Sequence, residues 1–144
     1  MAEAVEFKAE VLRVIDGDSI IVKNEDGKYP IRIKYVDAPE IQQKHGKKSK
    51  DFLSKLISGK LVFISSPYKD RYSRYLSDVY IYDDEIAIYI NAKLIKSGNA
   101  WVYKSYRSNE YLMNLENFAR NNSKGLWSNK KPTEPWVFRK IEKK

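Results

Sequence analysis

The stretch Ile15-Asp16-Gly17-Asp18-Ser19, followed by Ile31-Arg32-Ile33-Lys34-Tyr35-Val36-Asp37-Ala38-Pro39-Glu40, decides how this chain reads. Between the two segments lies Glu25-Asp26-Gly27-Lys28, flanked on both sides by apolar, β-branched runs. That is a hairpin signature. A hairpin folds its ends back together, so the Asp-Gly-Asp turn and the Asp-Ala-Pro-Glu turn are expected at one end of a sheet. The carboxylates of Asp16, Asp18, Asp37 and Glu40 then converge beside Arg32. Crowded carboxylates raise one another's pKa unless a cation sits among them. A hard metal ion held there, next to a guanidinium, suits a phosphodiester substrate.

The remaining chain supplies a frame for those turns. Val5, Phe7, Ala9 and Val11 alternate with Glu6, Lys8 and Glu10, the pattern of a half-buried strand. Ser19 to Lys23 and Tyr29 to Val36 are the hairpin arms. Pro39 stops the second arm and holds Ala38 extended. Phe52, Leu53, Leu56 and Ile57 fall at helical spacing within Gly46–Ile57, and Ser58-Gly59 closes that helix. Strands are expected at Lys60–Ser65 and Tyr75–Tyr82, and a short helix over Tyr89–Lys96 with Gly98 past its end. Ser108 is expected to cap a last helix whose buried stripe is Leu112, Leu115, Phe118 and Ala119. Trp101 and Trp127 read as core or core-edge residues. Five short strands with helices inserted late fit a mainly β, strongly bent barrel of the OB class. The barrel and its helices are expected to fill residues 1–128. A basic tail at 129–144 is either an extension anchored by Trp136 and Phe138 or a largely flexible segment.

A chain of 144 residues with 42% hydrophobic content holds one domain with a real core. Its 27 basic against 19 acidic residues, net +8, point to a polyanionic partner, nucleic acid before anionic membrane. The absence of cysteine removes disulfides and thiolate metal sites. No apolar run is long enough to span a bilayer, and Met1 to Phe7 lacks the basic start and apolar stretch of a signal peptide. As written, the chain reads as soluble, monomeric and cytoplasmic, or as secreted or periplasmic if its N-terminus has been trimmed. The single histidine, His45, lies among polar residues and reads as a solvated loop residue. Histidine-pair mechanisms are thereby excluded, and general-base work falls to a carboxylate, a lysine or a tyrosine.

The ordered set Ile-Asp-Gly-Asp-Ser, Ile-Arg-Ile-Lys-Tyr-Val-Asp-Ala-Pro-Glu, Asp70-Arg71-Tyr72-Ser73-Arg74 and Gly125-Leu126-Trp127 resembles the thermonuclease (staphylococcal nuclease) family from about Phe7 to Trp127. The resemblance implies a five-stranded OB barrel with three α-helices. It also implies a calcium-dependent phosphodiesterase acting on DNA and RNA, single strands favoured, that breaks the bond to the 5′ oxygen and leaves 3′-phosphate ends. By the same resemblance Asp18, Asp37 and the backbone carbonyl of Ala38 hold the calcium ion, and Asp16 is its near neighbour. Glu40 holds or deprotonates the attacking water, Arg32 and Arg74 grip the phosphate, and Tyr72, Tyr103 and Tyr106 flank the bound nucleotide. Two departures stand out: Ser73 occupies a position that is usually glycine, and the loop from Ile41 to Lys48 is shorter than in well-known secreted members.

The chemistry is consistent with that assignment. Calcium takes several oxygen ligands in a tolerant shell, and magnesium or manganese fit the same oxygens. Attack on a phosphodiester builds charge on the equatorial oxygens, where fixed donors are typically worth roughly 3–4 kcal/mol each. Arginine suits this better than lysine because its planar fork matches two phosphate oxygens. A geometric obstacle also follows from the sequence. Arg32 and Asp37 differ in parity and stand roughly 16 Å apart along an extended strand. The strand must therefore bend or bulge, and Val36-Asp37-Ala38-Pro39 is the expected place. The rival reading is a non-catalytic OB module holding single-stranded nucleic acid, which has no reason to keep Asp18, Asp37, Glu40, Arg32 and Arg74 together. Docking on an anionic membrane lacks an amphipathic basic helix.

Overall fold

The computed structural model describes residues 5–69 and 71–142; Asp70 of the quoted Asp-Arg-Tyr-Ser-Arg motif lies outside them. In chain order the elements are β1 (Val5–Asp16), β2 (Ser19–Asn24), β3 (Gly27–Ile33), β4 (Val36–Asp37) and helix α1 (Gly46–Ile57). Then come β5 (Leu61–Lys69), β6 (Tyr75–Asp83), β7 (Ile86–Tyr89), α2 (Ile90–Lys96) and β8 (Trp101–Val102). Helices α3 (Glu110–Asn121) and α4 (Pro135–Glu142) complete the chain.

The expected hairpin forms as read. Asn24 pairs with Gly27 across the Glu25-Asp26 turn, and the ladder continues to Ser19 opposite Arg32. The long strand β1 pairs with β2 along its second half and with β5 along its first. Register shifts between Val11 and Arg13 and between Val14 and Asp16 bend it as they let it change partners. The sheet order is β3-β2-β1-β5-β6-β7, and a parallel pairing of β3 with β6 closes the first five of these into a barrel. Strand β7 extends the barrel as a hairpin on β6. Fully buried Ile20, Val22, Ile31 and Ile33 from the hairpin meet Leu53 and Ile57 of α1 and Leu94 and Ile95 of α2 in one core. Deletion of any of these large side chains would leave a cavity, at a typical cost of about 2–5 kcal/mol.

Several expectations need correction. The described residues hold a fourth α-helix, α4, so the tail is ordered through Glu142. Trp136 on α4 packs edge-on against Trp101, ring centroids 5.8 Å apart. Strand β3 ends at Ile33 instead of running to Val36. The cap of α3 is Asn109, whose side chain accepts from the Leu112 N–H at 3.0 Å, and not Ser108. Leu112 and Ala119 of the expected stripe are buried, but Phe118 is exposed and Glu116 is fully buried beside them. His45 is not a free loop residue: it stands at the head of α1 with a left-handed φ of 71°, and its Nε2 lies 3.0 Å from Asn99 Oδ1. Trp101 and Trp127 are buried, as expected.

Candidate functional site

Two turns and a strand end build the site. After β1 the chain reverses at Asp16-Gly17-Asp18, where the Asp18 N–H donates to Asp16 Oδ1 at 3.1 Å, a side chain closing its own turn. Gly17 is required by space. A Cβ there would stand 2.7 Å from that of Ala38 and 2.8 Å from that of Ser49 on α1. The 36–38 segment can therefore lie against the turn. The Ala38 N–H donates to Asp18 Oδ2 at 2.8 Å, and the Ile33 N–H donates to the Asp18 carbonyl at 2.9 Å.

The parity obstacle is resolved at Tyr35, which takes a left-handed φ of 75°. A bulky residue there is strained, and the reversal falls one residue before the expected Val36–Pro39 stretch. Strand β4 then continues in a second small sheet, with Asp37 opposite Trp101 of β8. Arg32 and Asp37 consequently face one another. Arg32 Nη2 lies 3.4 Å from Asp18 Oδ2 and 3.8 Å from Asp37 Oδ1. Its Nη1 donates to the Ile33 carbonyl at 2.7 Å, which fixes the guanidinium between the two aspartates.

Every site residue expected from the sequence lines one groove of about 630 Å³. Arg74, at the mouth of β6, places Nη1 3.5 Å from Ser19 Oγ, and that hydroxyl donates to Asp18 Oδ1 at 3.1 Å. Ser73 has a φ of 62°, so the serine holds the left-handed conformation that glycine takes more readily. Tyr72 is exposed, and the Arg71 and Arg74 guanidiniums lie 4.9 and 5.3 Å from its ring centroid. Tyr103 donates its N–H to the Tyr35 carbonyl at 2.8 Å, and Tyr106 meets the Tyr35 ring edge-on at 4.8 Å. All three tyrosines line the groove.

One functional side chain escaped the sequence reading. Arg139 of α4 donates through Nη1 to Asp37 Oδ1 at 3.0 Å and through Nη2 to Asp37 Oδ2 at 2.7 Å. Nη1 also donates to Glu40 Oε1 at 2.7 Å. The available signal was slight: Arg139 is the lone arginine among the tail's basic residues, three positions after Trp136. Only a guanidinium spans two carboxylates in this way.

Charge in the site is finely divided. Burial, reinforced by the neighbouring Asp18 carboxylate, pushes the Asp16 pKa up to about 7. Burial also raises Asp37, against the opposing pull of the Arg139 hydrogen bonds. Asp18 is buried too, yet the Arg32 guanidinium and the bonds from Asp16, the Ala38 N–H and Ser19 hold it below the ordinary carboxylate value. The sign of the resulting pH dependence is fixed by Asp16. Its pKa is about 7 folded against an ordinary aspartate value of 3.8, so between those values the folded state binds more protons and stability falls as pH rises. In the presence of a chelator, the urea midpoint is expected to drop between pH 5 and pH 7.5, and Asp16→Asn should flatten that slope. An equal slope in both proteins would remove Asp16 as its source.

The donor set suits a hard cation. Asp18 and Asp37 are buried acids with oxygen donors only, and guanidinium cations already stand against both. Among the described residues no three histidine, cysteine, aspartate or glutamate side chains gather on one point. An ion here would therefore draw on two carboxylates, backbone oxygen and water.

The staphylococcal nuclease homologue family matches this chain over residues 30–129. The chain belongs to the staphylococcal nuclease family. An "Uncharacterized endonuclease" of Escherichia coli O157:H7 is 37% identical over 134 residues, covering 93% of this chain and 86% of that protein. A protein of the same name from Haemophilus influenzae is 35% identical over 134 residues, 92% of this chain and 73% of its own length. "Probable staphylococcal-like nuclease CAN2" of Oryza sativa subsp. japonica is 35% identical over 116 residues, 81% of this chain and 30% of that protein. The staphylococcal nuclease match ends before α4, so Arg139 lies outside the residues it covers.

Proposed function

We propose that this protein is a calcium-dependent phosphodiester hydrolase that cuts DNA and RNA with little sequence preference, favours single strands and leaves 3′-phosphate ends. The observation that carries the reading is the placement of Arg32 Nη2 within 4 Å of both the Asp18 and Asp37 carboxylates, in the groove that also holds Glu40 and Arg74. Family membership and relatives named as endonucleases support it.

Asp18, Asp37 and the Ala38 carbonyl would hold the ion, which when bound supplies positive charge beside the scissile phosphate. Arg32 on β3 and Arg74 just before the adjoining β6 both line the groove and would neutralise charge building on the equatorial oxygens. Glu40 stands on the loop after β4, where its carboxylate can orient a water and accept its proton. Tyr72, Tyr103 and Tyr106, all lining the groove, offer aromatic rings to unpaired bases, a sequence-tolerant contact. Net charge of +8 draws the polyanion in and makes binding salt-sensitive. No helix among the described residues is long and apolar enough to cross a membrane.

The test is cleavage of single-stranded DNA with calcium, magnesium, manganese or chelator, with product ends analysed. EDTA is expected to abolish cleavage and calcium to restore it, giving 3′-phosphate ends. Cleavage indifferent to chelator would sink the metal scheme. Retained DNA binding without cleavage under every condition would favour the binding-module reading.

A further inference from the structure

We propose that Arg139 and the divalent cation are alternative occupants of the Asp37 carboxylate, making α4 a latch that closes the site and holds Glu40 in the absence of the ion. The proposal rests on the metal reading above and adds to it a role for a helix that the family match does not cover.

Three observations carry it. The first is occupancy. Both Asp37 oxygens accept from Arg139, at 3.0 and 2.7 Å, and Glu40 Oε1 accepts from the same guanidinium at 2.7 Å. A calcium ion sits about 2.3–2.6 Å from its carboxylate oxygens. An ion sharing an Asp37 oxygen with Arg139 would lie within roughly 5 Å of its guanidinium, a range at which two cations repel. The second is charge. Asp37 is 1% exposed, with Arg32 3.8 Å away and Asp18 on the other side of Arg32. A buried carboxylate keeps its charge cheaply only beside close cations, and Arg139 supplies the nearest one until the ion replaces it.

The third is the lightness of the latch. Helix α4 spans Pro135–Glu142 and has Pro135 as its buried residue. Its docking rests on one large side chain, Trp136, which packs on the Trp101 and Trp127 cluster with Arg107 5.9 Å from its ring centroid, and on Gln43 Nε2 donating to the Thr133 carbonyl at 2.6 Å. Eight residues do not hold a helix alone in water, so α4 owes its order to this docking and to Arg139. Entry of the ion removes the Arg139 anchor, loosens the helix and releases Glu40 to a water. Trp136 should report the movement.

The experiment is calorimetric titration of the full chain with calcium, for wild type and Arg139→Gln, with tryptophan emission followed in parallel. Arg139→Gln is expected to bind calcium about ten- to a hundredfold tighter, the equivalent of one charge-assisted hydrogen-bonded pair. Trp136→Ala, which weakens the docking and keeps the arginine, should move affinity in the same direction. Calcium should shift the emission of wild type, and Trp136→Phe should lose most of that shift. Equal or weaker calcium affinity in Arg139→Gln overturns the latch and makes Arg139 a positioning residue for Asp37. Absence of calcium binding in wild type and in both variants overturns the metal reading and the latch with it.

Discussion

Glu40→Gln is expected to lower the cleavage rate on single-stranded DNA by about 10²–10⁴-fold, the usual contribution of a general base, while DNA affinity and melting temperature stay near wild type. The structure separates these effects. The Glu40 side chain is 29% exposed, so its ion pair with Arg139 adds little to stability. The local backbone is fixed by a different bond, from the Glu40 N–H to Gln43 Oε1 at 3.0 Å. Glutamine keeps the size and an acceptor oxygen but takes no proton at neutral pH. The change also removes one of the carboxylates that hold Arg139, so calcium binding should be unchanged or tighter. Lost turnover could not then be ascribed to a lost ion. Single-turnover cleavage at saturating calcium, with calcium affinity measured alongside, is the decisive pair of readings. A rate within a few-fold of wild type would remove Glu40 from the reaction.

What could be read from the sequence was what local signals specify. Asp26-Gly27 fixes the hairpin, which sets Ser19 opposite Arg32 and so brings the Asp16–Asp18 turn to the end of the strand that leads to Asp37. What could not be read depended on neighbours distant in the chain. Tyr35 and His45 adopt left-handed φ values of 75° and 71° with no glycine or asparagine to announce them. Their conformations are imposed by the strands and helix on either side. Ser108 and Asn109 are both capping types, and only geometry chooses between them. Hydrophobic periodicity assigned Phe118 to the core of α3 and passed over Glu116, because burial of a charge is decided by partners at positions 102, 107 and 120. Helix α4 is too short to register by periodicity, and its anchor lies on Trp101 and Tyr103. Arg139 followed it out of view.

That hidden glutamate carries the largest expected effect on stability. Glu116 is fully buried and accepts from the Val102 N–H at 2.9 Å, from Arg107 at 2.7 and 2.9 Å, and from Arg120 Nε at 3.0 Å. Removing one partner of a buried pair typically costs about 3–5 kcal/mol, because the remaining groups are left desolvated and uncompensated. Arg107 and Arg120 are 30% and 41% exposed, so water reaches their orphaned guanidiniums and the lower figure applies. Glu116→Ala is therefore expected to cost about 3 kcal/mol, a fall on the order of 10 °C in melting temperature for a chain of this size. The damage should not stay local. Val102 pairs with Val36 and Trp101 with Asp37, so the strand that Glu116 secures is the one that positions the site aspartate. Calcium affinity should fall in Glu116→Ala even well below its melting point, measured by calorimetry on protein shown folded by circular dichroism. A melting temperature within a degree or two of wild type would mean that the network behaves as a solvated surface cluster, and that β8 is held by its apolar contacts alone.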